Sequence, residues 1–148
     1  MRREKDEATR AAVRKVVESM PICLTITRDP LYRIEQANKL ARCLVGNRDV
    51  EGELIANVLR EACEQGFTAL LDNVYASGEV FRGEEMELRW RPHAQADERT
   101  AYFDLVYQPI IGDSGAVERI LHLGTDATEK VERRSLIERY ASERQALL

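Results

Sequence analysis

The chain has 148 residues, of which 44% are hydrophobic and 32% charged, and a formal net charge of −4. That is enough for one domain with a true core, while 8 glycines and 4 prolines are too few for a fibrous or disordered chain. The acidic balance argues against a nucleic-acid footprint, and no apolar run approaches the ~18 residues of a membrane span.

No secretory h-region follows Met1-Arg2-Arg3-Glu4-Lys5, so a cytoplasmic location is expected. The three cysteines, Cys23, Cys43 and Cys63, form no CxxC pair, and an odd number closes no disulfide framework. Free, mostly buried thiols in a reducing compartment are the expectation.

In chain order, Val13, Val16, Val17 and Met20 fall at i, i+3, i+4 and i+7, which predicts an amphipathic helix over 1–20 that Pro21 terminates. Ile22 to Thr27 is a β-branched run, Arg28-Asp29-Pro30 is turn chemistry, and Tyr32 to Gln36 alternates as a hairpin partner would. Asn38 is placed to cap a short helix through Leu44. Leu54 to Glu64 reads as one helix. Phe67, Leu70, Leu71, Val74 and Tyr75 form the stripe of another, stopped by Gly78.

The period then changes to 2. Met86, Leu88 and Trp90 alternate with Glu85, Glu87 and Arg89, so the acidic side chains are expected on a solvated face. Ala101 to Ile111 and Val117 to Thr125 read as two more strands joined by the Gly112-Asp113-Ser114-Gly115 turn, and Asp126 opens a charged C-terminal helix. Helices segregated between antiparallel strands predict an α+β domain, a five-stranded sheet with helices on one face. Because Tyr102 and Val106 add apolar character to the other face, the N-terminal helix, from this chain or a partner, is expected to cover it.

The order and three segments resemble the PAS family of bacterial sensory modules over about residues 20–128. Ile34 to Ala41, with Asn38, resembles its second strand running into a short helix. Leu70 to Glu79 resembles its long helix. Tyr102 to Ile110, then Val117, then Gly124-Thr125-Asp126-Ala127-Thr128 resemble its last hairpin and D-x-T motif. The resemblance divides the chain into an N-terminal helix (1–20), a PAS core (21–125) and a C-terminal linker helix (126–148). It implies that Asp126 and Thr128 relay a signal to that helix. A carboxylate there also suits the N–H groups of a helix start, so capping alone would explain Asp126. The mixed charges Glu129, Lys130, Glu132, Arg133 and Arg134 read as an ordinary solvated face, and Ile137, Tyr140 and Leu147 make a poor coiled-coil seam.

The resemblance also implies a ligand pocket between the long helix and the sheet, formed by Phe67, Leu70, Leu71, Val74, Tyr75, Met86, Leu88, Trp90, Phe103, Tyr107 and His122. Plain core packing would explain the same apolar stripe, and His122 is either a polar reader of a ligand or a satisfied buried histidine. The ligand is unknown. Haem held by a long-helix histidine is not expected, since 66–78 contains none. A light-driven flavin adduct is not expected either, since Cys43 lies in the wrong segment with the wrong neighbours; a redox flavin carries no short motif and stays open. No metal-ligand spacing is present.

The function expected is that of a sensory module in a histidine kinase, a cyclic-di-GMP enzyme or a regulator, with an output domain in the same or a longer chain. It would bind a small molecule and form a homodimer through Val13, Val16, Val17 and Met20. Neither nucleic acid nor a membrane is expected as a partner of this domain. A ligand-free dimerisation module is the alternative. A small cystatin-like α+β enzyme is a third reading, although no GxSxG, P-loop or HExxH motif occurs and no catalytic residue is assigned.

Overall fold

The computed structural model describes residues 1–147. Helix α1 (Arg2–Ser19) ends where Met20 turns extended ahead of Pro21, as a residue before proline must. Strands β1 (Cys23–Arg28) and β2 (Arg33–Ala37) form a hairpin. Three short helices follow, α2 (Lys39–Cys43), α3 (Ile55–Val58) and α4 (Arg60–Glu64), and then the longer α5 (Phe67–Ser77). Strands β3 (Phe81–Trp90), β4 (Arg99–Ile111) and β5 (Val117–Asp126) complete the sheet, and α6 (Thr128–Ala146) leaves it.

The sheet order is β2-β1-β5-β4-β3, with every neighbouring pair antiparallel. The first and last strands of the chain's sheet segments therefore meet in its middle, and α2 to α5 connect the two edge strands β2 and β3. One inner face packs against these helices in three apolar groups. Tyr32, Leu71, Val74, Tyr107, Val117 and Ile120 form the first. Ile34, Ala37, Val45, Val50 and Val58 form the second, and Ala62, Leu88, Trp90, Ala101 and Phe103 the third.

Asn38 ties the N-terminal half together. Its side chain is fully buried, a costly place for an amide unless every group is paired. Its Oδ1 accepts from the Leu24 and Ala41 amides at 3.0 and 3.1 Å, and its Nδ2 donates to the Ile22 and Val17 carbonyls at 2.8 and 3.1 Å. One residue thus caps α2, fixes the start of β1 and holds the end of α1.

Four expectations need correction. The helix expected over 54–64 is broken at Leu59, whose backbone (φ −127°, ψ 62°) is not helical. The break sends Val58 into the second apolar group and Ala62 into the third, a packing demand that overrides local helix propensity. Strand β3 begins at Phe81, ahead of the alternating stretch, because a bulge between Gly83 and Met86 reverses the alternation and brings both Phe81 and Met86 to the face of Tyr107 and Phe103.

Helix α1 buries none of its residues, so it does not cover this chain's outer sheet face. Val13 and Val16 are exposed, whereas Val17 and Met20 are half-buried near the Asn38 anchor. Finally, Cys43 is exposed rather than buried, and Cys23 and Cys63 are half-buried free thiols.

Candidate functional site

Helix α5 starts at Gly66 and stops at Gly78, both with left-handed backbone (φ 98° and 71°) that glycine adopts without Cβ strain. Its apolar stripe faces the sheet, but the two ends of the stripe do different work. The C-terminal end packs solidly: Val74 is buried in the first apolar group, and Leu70 and Tyr75 lie against it. The N-terminal end, with Phe67, Thr68 and Leu71, also lines a cavity of about 120 Å³ between the helix and the sheet.

Seven of the eleven expected pocket residues line this cavity: Phe67, Leu71, Met86, Leu88, Phe103, Tyr107 and His122. Leu70, Val74, Tyr75 and Trp90 do not. Trp90 is instead part of the third apolar group, its indole N–H donating to the Leu44 carbonyl at 2.7 Å. The sequence reading missed a second wall. Leu44, Ile55, Leu59, Ala62 and Cys63 from the short helices close the cavity, with Cys23 and Thr25 of β1 and Gly124 of β5 on the sheet side. One signal was present: a lone glycine inside a strand marks close approach, and Gly124 is such a residue. A Cβ there would touch Leu105, Cys23 and Phe103 at 3.4 to 3.9 Å, ordinary contacts at the cavity wall.

Among the described residues, no Asp, Glu, Lys or Arg lines the cavity. Its polar groups are few and neutral. His122 Nε2 lies 2.8 Å from Thr27 Oγ1, and its ring meets the edge of Tyr107 with centroids 5.0 Å apart. Desolvation lowers the His122 pKa to about 4, so the imidazole is uncharged at neutral pH. Desolvation also raises the Tyr107 phenol and brings the Cys23 thiol up to about 11, which leaves Cys23 a thiol and a poor nucleophile. Thr68 Oγ1 is buried with no hydrogen-bond partner among the described residues.

The cavity wall connects to α6 at two places. At the first, Asp126 closes β5 opposite Phe103, a cavity residue, and its Oδ1 accepts from the Thr128 amide at 2.9 Å. Thr128 Oγ1 in turn accepts from the Tyr102 amide at 3.0 Å, and the Ala127 amide donates to the Tyr102 carbonyl at 2.7 Å. Both backbone groups of one β4 residue are thereby bound to the start of α6. Asp126 does form the expected bond to the first turn, although the helix cap itself is Ala127.

At the second, Glu85 sits in the β3 bulge with φ 49°, beside the cavity residue Met86. Its amide donates to Asp104 Oδ1 at 2.8 Å, and its carboxylate pairs with Arg134 and Lys130 of α6. The hydrogen bond from Arg134 holds the Glu85 carboxyl below its ordinary range. Glu85, Lys130 and Arg134 are thus paired, not part of a simple solvated face.

A family model described as the PAS fold matches residues 17–132. Among solved structures, the chain is similar to an RNA-binding light-oxygen-voltage receptor, with 17% identity over 92% of this chain and 37% of that one and a TM-score of 0.66. It is similar to phage VqmA in its complex with DPO, with 26% identity over 97% of this chain and 62% of that one and a TM-score of 0.61. It is also similar to a sensory box sensor histidine kinase from Vibrio cholerae, with 16% identity over 85% of this chain and 95% of that one and a TM-score of 0.53. The chain therefore spans little more than a third of the first of these proteins and under two thirds of the second.

Proposed function

The chain belongs to the PAS family, and we propose that it works as a sensory module that takes a small molecule into the α5–sheet cavity and passes the event to α6. The observation that carries this reading is a single one: the cavity wall and the helix start share strand β4. Phe103, Leu105 and Tyr107 line the cavity, and Tyr102, the next residue, holds α6 through Thr128 and Ala127. A ligand that favours one β4 position over another would shift the α6 equilibrium by its difference in affinity for the two.

The residues fit some ligands and not others. No cationic side chain on the wall would meet the phosphate of a flavin. The absence of a carboxylate on the wall also supports a binding role over a cystatin-like enzyme, which would use a polar, acidic cavity.

The test is native mass spectrometry of the intact chain as purified from cells. A mass excess over 16.9 kDa per chain that is lost in Gly124→Leu supports the reading. No excess in the wild type, and none after exposure to a metabolite extract, counts against it.

A second reading rests on a different observation. Val13 and Val16 on α1 and Leu136, Ile137 and Tyr140 on α6 are exposed, and Ile26, Val106 and Leu121 on the outer sheet face are half-buried. A homodimer would cover these surfaces, and it is compatible with either a ligand-bound or a ligand-free module, with the output domain in the same or a longer chain.

A further inference from the structure

We infer that the β3 bulge is a releasable latch on α6: Glu85 grips Lys130 and Arg134, and whether it does so sets the direction in which the helix leaves the sheet. The inference goes beyond the ligand reading and holds whether or not the cavity is filled.

The first observation is how little else holds the helix. None of the residues of α6 is buried. Its first turn is bound to Tyr102 through Ala127 and Thr128, and Val131 is half-buried. Every described residue from Glu132 onward is exposed. Among the described residues, the salt bridges that join α6 to the sheet are those of Lys130 and Arg134 with Glu85 and Asp104. A helix anchored at its first turn alone is free to pivot there. A second anchor one to two turns further on fixes its direction.

The second observation is the geometry of the grip. Lys130 and Arg134 are four residues apart and share one face of α6. Arg134 Nη2 donates to both carboxylate oxygens of Glu85. Lys130 Nζ lies 3.4 Å from Glu85 Oε1 and 3.9 Å from Asp104 Oδ2. Glu85 reaches both cations from a backbone with φ 49°, which a residue with a Cβ keeps only where its surroundings impose it. Asp104 helps to impose it, since its Oδ1 accepts from the Glu85 amide at 2.8 Å.

The third observation is that release costs little. The side chains of Glu85, Arg134 and Lys130 are 26%, 51% and 64% exposed, so water and salt reach the pairs. Each cation also has a carboxylate four residues away on its own side of the junction, Asp126 before Lys130 and Glu138 after Arg134. Letting go of Glu85 therefore leaves both cations with an alternative partner. Two arrangements close in free energy are what a two-state element requires. Glu85 is also the neighbour of Met86 on the cavity wall, so a change at the wall reaches the latch through one peptide.

Residual dipolar couplings of the isotope-labelled full chain test the latch, in wild type, Glu85→Gln, Arg134→Gln, the double variant and Glu129→Gln. Arg134→Gln acts from the helix side, so a disturbed bulge is not confused with a released helix. Glu129→Gln breaks the Glu129–Arg133 pair within α6 and spares the latch. In the wild type, couplings over 132–146 should share the alignment of the sheet. In both latch variants they should collapse toward zero, while Tyr102 and Thr128 keep theirs and Cα shifts show the helix intact. The double variant should lose no more than either single one. Wild type in about 1 M salt, where the screening length is about 3 Å, should behave like the latch variants, and Glu129→Gln like the wild type.

Unchanged α6 couplings in Glu85→Gln and Arg134→Gln would overturn the latch. So would a wild-type helix already averaged relative to the sheet. Equal losses in Glu129→Gln would overturn it as well, because the helix would then fray rather than pivot.

Discussion

His122 Nε2 and Thr27 Oγ1 lie 2.8 Å apart on neighbouring strands β5 and β1, inside the cavity wall. The contact ties the polar end of the cavity to the middle of the sheet, where the early and late parts of the chain meet. It also makes the cavity sensitive to protons, because protonating the imidazole would place an unpaired charge against Tyr107 and the apolar wall.

The sign of that effect follows from the pKa of about 4 in the folded protein against an ordinary 6.5. Between these values the unfolded chain binds a proton that the folded chain does not, so stability falls as pH falls from 6.5 toward 4. The loss is at most about 3 kcal/mol, of which about 2 kcal/mol appears between pH 6.5 and 5. Urea unfolding of wild type and His122→Gln at pH 7 and pH 5 checks this. The wild type should lose that much more than the variant; equal losses in the two proteins would show that the imidazole is free to charge in place.

Asn38 predicts a larger, pH-independent effect. Asn38→Ala leaves the Leu24 amide and the Ile22 carbonyl without their side-chain partner and removes the α2 cap. Buried groups left unpaired cost about 1–3 kcal/mol each, so a total near 3 kcal/mol or more is expected in urea unfolding. Hydrogen exchange should also show α1 released at Val17, whose carbonyl loses its tie. A loss under about 1 kcal/mol would mean that water replaces the amide, and the anchor role would fail.

Glu85 carries two effects of opposite sign. Its carboxylate pairs with Arg134 and Lys130, while its φ of 49° is strained for any residue with a Cβ. Glu85→Ala loses the pairs and keeps the strain. Glu85→Gly loses the pairs and relieves it. Thermal denaturation should rank wild type and the two variants so that Glu85→Gly is the more stable variant, and added salt should narrow the gap between wild type and both. The reverse ranking would show that the bulge has another conformation in solution.

The dimer reading makes its own prediction about α1. Of the four valine and methionine positions in the stripe, only Val13 and Val16 are exposed. Val13→Glu with Val16→Glu should therefore yield monomers by light scattering while leaving the unfolding midpoint nearly unchanged. A dimer of unaltered mass would move the association surface elsewhere, to the outer sheet face or α6.

The sequence carried the element order well because most signals were local. Pro21, Gly78 and the 112–115 turn stop elements through their own backbone chemistry, and the alternation of Met86, Leu88 and Trp90 sets which side of β3 faces inward. The site was less legible. Helical period placed Phe67, Leu71, Val74 and Tyr75 on one face, but period does not tell which of these side chains border a cavity and which only pack against their neighbours. Trp90 alternates correctly, yet its N–H needed a partner and found the Leu44 carbonyl, and its ring packs within the third apolar group. The break at Leu59 was hidden for a similar reason: its cause is the need to feed two apolar groups on different parts of the sheet.

The central claim is that the cavity and α6 are coupled through β4, and amide NMR of the labelled chain titrated with phenol, a small neutral probe, tests it most directly. The account predicts shifts at Phe103, Tyr107 and His122 together with shifts at Tyr102 and Thr128, and it predicts that Thr128→Val keeps the first set while losing the response along α6. Shifts confined to the cavity in the wild type, with Tyr102 and Thr128 unmoved at saturation, would contradict it.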